Sequence, residues 1–487
     1  MGFTARKSFG PRMCIIAACM GLLAMIVVFA GVAAASSSSQ SIVETLPGYP
    51  GKLPFKLETG YISVGDMEDV ELFYYFIESQ RDPTADPLML WFTGGPGCSG
   101  FSALAYEIGP LTFNYTHYTG GLPSLVINKY AWTEVANIIF IDQPVEAGFS
   151  YATTLEARNS SDTKAAKDAY TFLRKWLINH PQFLGNELYI GGDSYSGIIV
   201  PLVVTHILEG LEAGLTPKIA LQGYILGNPV TDDYTDQNSR IPYVHRVNLI
   251  SDEYYRDAKE YCGGNYVDIN ENNTECVTTI STIMDCLLQI NLCQILEPQC
   301  AFATPKKPEK LEWDMRVQEA EIVTHLQSND LPPPPLKCRG YHYVFSYKWM
   351  NDKTVQDALN VRPGTVENWS RCPRSFPYYT QELSSVVSYH RNLSATGLRA
   401  LVYSGDHDIS RPWIGTLGWI KSLGVAVFDQ WRAWYLDGQI AGYQVKFMND
   451  HFRLTYVTVK GAGHTAPEYK PKQTLAMFDR FLARYPI

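Results

Sequence analysis

No long run of basic residues occurs in this 487-residue chain, and its formal charge is −9. The electrostatic footprint that a polyanion requires is missing, so nucleic acid is not expected as a partner. The one compact basic patch, Pro305-Lys-Lys-Pro-Glu-Lys310, is short and reads as part of a linker. The cysteine spacings contain no paired Cys-x-x-Cys of the zinc-ligand kind, and no metal or cofactor is called for. No internal repeat is evident. Past the first 35 residues no segment is long and apolar enough to cross a membrane. The chain ends Tyr485-Pro-Ile487 rather than in a Lys-Asp-Glu-Leu type tail, so retention in the endoplasmic reticulum is not expected.

What the N-terminus does have is a targeting pattern. Arg6, Lys7 and Arg12 precede an apolar run from Met13 to Ala35, and Ala33-Ala-Ala35 before Ser36 fits a small-residue cleavage site. The run is long enough to serve instead as a type II anchor, but its alanine-rich end and Ser36-Ser-Ser-Ser39 favour cleavage. Residues 1–35 are therefore read as a signal peptide, with no stable membrane association once it is removed. Cys14 and Cys19 leave with it. The remaining eight cysteines, Cys98, Cys262, Cys276, Cys286, Cys293, Cys300, Cys338 and Cys372, are an even set in an oxidising route and argue for disulfides. Five Asn-x-Ser/Thr triplets, at Asn114, Asn159, Asn272, Asn368 and Asn392, fit a glycosylated surface.

Chemistry enters at Glu187-Leu-Tyr-Ile-Gly-Gly-Asp-Ser-Tyr-Ser-Gly-Ile-Ile-Val-Pro201, where an apolar strand breaks into a tight turn and then an apolar helix. That is the context of a nucleophile elbow, with Ser194 at its tip and small residues Gly192, Ser196 and Gly197 letting strand and helix approach. Ser196 replaces the usual glycine, so the segment alone also reads as an ordinary strand-to-helix turn. Two later strands change the balance. Leu398-Arg-Ala-Leu-Val-Tyr-Ser-Gly-Asp-His-Asp408 ends in two acids, and Leu454-Thr-Tyr-Val-Thr-Val-Lys-Gly-Ala-Gly-His464 ends in a histidine. Serine, then acid, then histidine, each after a strand, is the order in which α/β-hydrolases carry their triad. The acid holds the imidazole tautomer so that the other nitrogen can take the serine proton. Asp406 competes with Asp408 for the acid's place. A fourth segment, Leu88-Met-Leu-Trp-Phe-Thr-Gly-Gly-Pro-Gly-Cys-Ser-Gly100, is a buried strand followed by a glycine cluster suited to presenting a backbone N–H to an oxyanion. Its alternative, a phosphate cradle, lacks both a following Lys-Ser/Thr and Gly-x-Gly-x-x-Gly spacing.

The expected architecture is an α/β-hydrolase fold, a central and mostly parallel sheet with a helical cap insertion. Asn137-Ile-Ile-Phe-Ile-Asp142 and Ala220-Leu-Gln-Gly-Tyr-Ile-Leu-Gly227 read as buried strands. Phe73-Tyr-Tyr-Phe-Ile77 reads as an early, edge-side antiparallel strand. Asp162 to Asn179 is an amphipathic helix, capped by Ser161 or Asp162, with Ala166, Ala169, Tyr170, Leu173, Trp176 and Leu177 on one face. A closing helix is expected over Thr474 to Arg484. The core is divided into residues 36–230 and 338–487. Residues 231–337, where cysteines cluster and helices shorten, form the cap between them. Within the cap, 303–337, with Lys-Lys and Pro332-Pro-Pro-Pro335, reads as an exposed loop.

Trp91-Phe-Thr-Gly-Gly-Pro-Gly-Cys-Ser99, Ile141-Asp-Gln-Pro-Val-Glu-Ala-Gly-Phe-Ser-Tyr151, Gly192-Asp-Ser-Tyr-Ser-Gly197 and Gly461-Ala-Gly-His464 together resemble the serine carboxypeptidase family, from about Leu53 to the C-terminus. The resemblance implies Ser194 as nucleophile, His464 as general base and Asp408 as the orienting acid, at the second Asp of a Gly-Asp-x-Asp turn. It implies oxyanion donors at Gly95 and Tyr195, and disulfides Cys98–Cys372 and Cys262–Cys276. Cys286, Cys293, Cys300 and Cys338 stay unassigned, and Cys98 as a nucleophile lacks a histidine of its own. Some relatives are cut in the linker into two chains held by a disulfide. The family points to the vacuole or the extracellular space.

Departures from the peptidase pattern set the expected substrate. Family peptidases read Asn-Gly-Gly-Pro-Gly and Gly-Glu-Ser-Tyr, and hold the peptide carboxylate with that Asn and two Glu residues. Here the positions around Gly94 and Ser194 are Thr93 and Asp193, and only Glu107 is kept. Gly-Asp-Ser-Tyr-Ser-Gly with His464-Thr-Ala-Pro-Glu468 resembles the plant acyltransferase branch, which takes acyl groups from 1-O-acyl glucose esters. The expectation is transfer from such a donor to a hydroxyl or amine of a plant secondary metabolite. The alternative is a carboxypeptidase releasing C-terminal residues, with these changes as neutral drift. A non-catalytic scaffold is disfavoured by the intact triad chemistry. Glu146 is a further oddity where the family has a small residue: it either contacts a sugar or basic acceptor, or points to solvent.

Overall fold

The computed structural model describes residues 1–2, 39–116, 118, 120–298, 339–373 and 376–487. The expected leader beyond its first two residues, the linker 303–337, Cys300 and Cys338 lie outside the described residues. The compact unit is Ser39–Ile487.

Its frame is one twisted sheet. The strands along its path are β1 (Ser39–Val43), β2 (Leu57–Val64), β3 (Val70–Ile77), β4 (Leu88–Phe92), β5 (Asn137–Ile141), β6 (Leu188–Asp193), β7 (Leu221–Gly227), β8 (Arg399–Gly405), β9 (Val427–Leu436), β10 (Gln439–Met448) and β11 (Arg453–Val459). Their order is β1-β2-β3-β5-β4-β6-β7-β8-β11-β10-β9. The middle of the sheet, from β5 to β11, is parallel throughout. Antiparallel strands flank it on both sides. Parallel pairing forces each return path through a crossover, and those from β5 to β6 and from β6 to β7 each carry one long helix.

β3 corrects one expectation. It is not at the edge: it pairs antiparallel with β2 on one side and β5 on the other. All eight of its residues are buried. Phe73, Tyr75 and Ile77 enter the core on one face of the sheet, and Leu72, Tyr74 and Phe76 the core on the other. A strand buried on both faces has no reason to alternate, which is why Phe-Tyr-Tyr-Phe-Ile is apolar without interruption.

Helices cover both faces. α1 (Asp162–Asn179) starts at Ser161, whose side chain accepts the Lys164 N–H, so Ser161 and not Asp162 is the cap. Its Ala166, Ala169, Leu173, Trp176 and Leu177 pack with Phe76 and Ile190, while Tyr170 is only half-buried against them. α2 (Ser196–Glu212) lies beside it in the same core. Between β7 and β8 come α3 (Asp233–Asn238), α4 (Arg240–Arg246), α5 (Asp252–Cys262) and α6 (Thr274–Leu287). Ile241, Tyr243, Val244, Ile283, Leu287 and Leu292 from this region build a separate small core that reaches Ile409. α7 (Tyr343–Met350) instead joins the main core through Phe345 and Trp349. α8 (Trp413–Ser422) follows the acid-bearing strand. The closing helix α9 runs Pro471–Leu482, beginning a turn earlier than expected because Pro471 takes a first-turn position where no N–H is needed. Its Phe478 stacks on Trp132 at 4.1 Å between ring centroids.

Several buried carboxyls make the folded chain favour acid. Burial pushes Asp142 up to about 7 and both Asp168 and Asp236 up to about 6, from an ordinary 3.8. A carboxyl raised in the folded state binds protons there that the unfolded chain gives up, so its contribution is full near pH 4 and lost as pH rises through 6 to 7. The melting temperature is therefore expected to be higher at pH 5 than at pH 8, as read by scanning calorimetry. A monotonic rise from pH 5 to pH 8 contradicts this.

Candidate active site

Because the central strands run parallel, the ends of β4, β6, β7, β8 and β11 share one edge of the sheet, and Ser194, Asp408 and His464 follow three of them. Ser194 joins β6 to α2 with φ +54, a left-handed conformation that an ordinary L-residue adopts only when its surroundings enforce it. The enforcement is visible. The Ser194 N–H donates to Gly227 O at 2.9 Å, and its carbonyl accepts from Gly197 N at 3.0 Å and Val230 N at 2.8 Å. A Cβ on Gly192 would stand 2.6 Å from Ser196 Cβ, and one on Gly197 would stand 2.2 Å from Val230 O. Only glycine permits that approach of strand and helix.

His464 reaches the elbow from the turn after β11. Its Nε2 lies 2.8 Å from Ser194 Oγ and its Nδ1 lies 2.8 Å from Asp408 Oδ2. An ionised Asp408 only accepts, so Nδ1 carries the proton and Nε2 is left to accept the serine O–H. Both members of the His464–Asp408 pair are buried. The backbone fixes the imidazole as well, since His464 N–H donates to Cys293 O at 2.8 Å. Asp406 does different work. Its Oδ1 accepts the Gly461 N–H at 2.7 Å and so braces the turn that delivers His464.

Sequence reasoning missed Asn228. From the end of β7 its Nδ2 donates to Asp408 Oδ2 at 2.8 Å, and its Oδ1 accepts the Gly405 N–H at 3.0 Å. The Ser410 N–H fills Asp408 Oδ1 at 2.7 Å. Asp408 is thus held on both oxygens. Asp142 plays the equivalent part for the glycine cluster: it accepts from Ser99 Oγ at 2.6 Å, Gly100 N at 2.8 Å and Phe149 N at 2.8 Å. The signals for both were present, as Gly227-Asn228-Pro229 and the Asp of Ile141-Asp-Gln-Pro144, without any indication of their partners.

The glycine cluster packs on Ser194. A Cβ on Gly94 would stand 2.6 Å from Ser194 Cβ and 2.9 Å from Tyr195 N. Gly95 has φ +117. Cys98 is bonded to Cys372 and Cys262 to Cys276, while among the described residues Cys286 and Cys293 are free thiols. Asp193 Oδ1 accepts the Gly94 N–H at 3.2 Å. Burial pushes the Glu107 carboxyl well above the usual carboxylate range, helped by the Asp193 and Glu468 charges and opposed by Arg371. Asp193 is also raised by burial, with His464 pulling the other way. Glu107 Oε2 and Thr93 Oγ1 are buried beside them without a hydrogen-bond partner.

Outlying residues fall as follows. Glu146 has φ +72 and is half-buried: it binds Arg158 at 2.9 Å, and Arg158 lies 4.3 Å over the Tyr378 ring. Glu468 accepts from Thr465 Oγ1 at 2.8 Å and Tyr343 Oη at 3.0 Å, and pairs with Arg339 at 3.4 Å. Asn159, Asn272, Asn368 and Asn392 are exposed, and Asn114 is half-buried. Among the described residues no group of three or more His, Cys, Asp and Glu side chains gathers as a metal site, and no helix is long and apolar enough to cross a membrane.

The packing of Gly94 on Ser194 makes a direct test. Gly94→Ala is expected to lower fluorophosphonate labelling by roughly a hundred-fold, the scale of a misplacement of about 1 Å, while the fold is kept. Mass spectrometry of the wild type should find the label on Ser194, and Ser194→Ala should abolish it. Label on Ser196 contradicts the assignment.

The sequence profile described as Serine carboxypeptidase matches residues 47–484. Serine carboxypeptidase-like 2 of Arabidopsis thaliana is 43% identical over 449 residues, covering 92% of this chain and 94% of that protein. Serine carboxypeptidase-like 1 of the same plant is 44% identical over 449 residues, with 92% and 94% covered. A solved prohormone-processing carboxypeptidase from Saccharomyces cerevisiae superposes with a TM-score of 0.68, covering 91% of this chain and 94% of that one, at 18% identity; this likeness speaks for the fold alone. With the profile spanning nearly the whole chain and the relatives above 40% identity, the protein belongs to the serine carboxypeptidase family.

Proposed function

We propose that the protein is an acyltransferase that moves an acyl group from a 1-O-acyl glucose ester to a hydroxyl or amine of a plant secondary metabolite. The observation that carries the choice of donor is the carboxyl pair beside Ser194. A peptidase of this family needs hydrogen-bond donors for a peptide carboxylate. Here two buried carboxyls, Glu107 and Asp193, lie together, and the buried side-chain atoms left without partners beside them are Glu107 Oε2 and the Thr93 hydroxyl. That surface is rich in acceptors. It suits the O–H groups of a sugar.

The chemistry follows from the 2.8 Å contacts. Ser194 Oγ attacks the ester carbonyl as His464 Nε2 takes its proton. The tetrahedral oxyanion takes the N–H groups of Gly95 and Tyr195. The bond to the anomeric oxygen breaks, and His464 returns the proton to the departing glucose. The acceptor then gives its proton to His464, attacks the acyl-enzyme, and leaves acylated while Ser194 recovers its hydrogen. Water must be kept from the acyl-enzyme, a task we assign to the helices of the 231–298 region as a cap. We place the mature chain on the secretory route, in the vacuole or outside the cell.

Losing one good polar partner for a buried carboxylate costs on the order of 1–3 kcal/mol, roughly ten- to a hundred-fold in rate. Asp193→Glu with Thr93→Asn is accordingly expected to raise hydrolysis of a blocked dipeptide and to lower transfer from an acyl glucose, both followed by chromatography of products. If the wild type already cleaves dipeptides efficiently and the double variant changes neither rate, the carboxypeptidase reading stands instead.

A further inference from the structure

Asp162 is completely buried, lies outside the Ser194–His464–Asp408 line, and spends both carboxylate oxygens on four donors. Oδ1 accepts from Tyr195 Oη at 2.8 Å and Tyr379 Oη at 2.7 Å. Oδ2 accepts from the Glu382 N–H at 2.8 Å and the Leu383 N–H at 2.9 Å. It occupies the first position of α1, where unsatisfied N–H groups and the helix dipole favour a negative charge, and this offsets part of the cost of burying it.

What these four donors belong to gives the carboxylate its significance. Tyr195 is the residue after the nucleophile and one of the two oxyanion donors. Tyr379, Glu382 and Leu383 belong to a segment that also packs on the other donor's loop. In that segment Cys372 is bonded to Cys98, Arg371 O accepts the Ser99 N–H at 2.7 Å, and a Cβ on Gly97 would meet the Phe376 ring at 3.2 Å. Phe376 and Tyr379 are 5.7 Å apart between ring centroids, and Tyr379 and Tyr195 6.4 Å. Beside Asp162 the segment is pinned to α1, where Tyr379–Thr380 pairs with Ser160–Ser161 and Glu382 accepts from Thr163. The contacts run without a break from the glycine cluster, through Phe376 and Tyr379, to Asp162 and Tyr195.

We infer that Asp162 is the positioning residue of the oxyanion hole, its carboxylate locking the Tyr195 side to the segment that braces the Gly94–Cys98 loop. Its effect is on the transition state and not on ground-state binding, because the donors it sets matter most once the carbonyl oxygen becomes an anion. This rests on the serine chemistry of the preceding section but is indifferent to which acyl donor is used.

The test compares Tyr195→Phe, Tyr379→Phe and Asp162→Asn with Thr163→Ala, a control that removes the neighbouring Thr163 hydroxyl bond to Glu382, keeps the Thr163 N–H bond to it, and leaves the Asp162 bonds in place. Tyr195→Phe removes a single hydroxyl, so the test survives even if Asp162→Asn does not fold. Each of the three is expected to lower the second-order rate of fluorophosphonate labelling by roughly ten-fold, less than outright loss of a donor. kcat and the affinity for an alkyl boronic acid, a tetrahedral mimic, should fall by the same factor, with donor KM within about two-fold. Labelling and boronate affinity equal to the control, with only the melting temperature lowered, reduce Asp162 to a structural role and overturn the inference. So does a rise in KM at constant kcat. A wild type that takes no label at Ser194 overturns both this and the serine mechanism. A wild type that labels normally but ignores acyl glucose removes the donor reading and leaves the inference standing.

Discussion

The chain has to reverse from strand to helix between Asp193 and Ser196, and the rest of the site depends on that turn being held. A left-handed serine is unfavourable by itself, on the order of 1–3 kcal/mol, and persists only where its surroundings fix it. Three backbone bonds to Gly227, Gly197 and Val230 do so, and two glycines clear the space for them. Ser194 is therefore placed by the parallel register of β6 and β7 and not by its own side chain. Asp408, at the end of β8, and His464, after β11, reach it because their strands continue the same parallel run.

Around that turn the polar groups divide by function. Asp408, Asp142 and Asp162 are each saturated with donors and act as anchors. Glu107, Thr93 and Asp193 form a patch that is only partly satisfied. Unsatisfied buried polar atoms are costly, and natural proteins keep them chiefly where a ligand completes them. The contrast separates the groups that hold the site together from those that face its contents.

The sheet, its two helical faces and the residues that converge on Ser194 were legible because each motif combines a strand with the turn that ends it. Local pattern carries that much. Asn228, Asp142 and Asp162 were not legible as partners, since Asn228 acts on a residue 180 positions away and Asp162 on one 33 away. Only the register of a parallel sheet brings such pairs together. Asp406 and Asp408 look alike in sequence, and their separation into a brace and a histidine partner is a matter of which way each points after β8. The placement of Phe73–Ile77 failed for a related reason: a run of aromatics says that a strand is buried, but not how many neighbours it has.

The disulfide between Cys98 and Cys372 closes a loop spanning 274 residues and encloses the whole 303–337 stretch. Ser194 and Gly95 lie on one side of that stretch in the chain, and Asp408 and His464 on the other. Scission there would turn a single chain into a heterodimer with Ser194 on one polypeptide and Asp408 and His464 on the other. The bridge would then keep the halves at a fixed effective concentration, whatever their dilution. Once reduced and unfolded, such a heterodimer has to find its other half by diffusion, so recovery of activity becomes a second-order process that the uncut chain never faces.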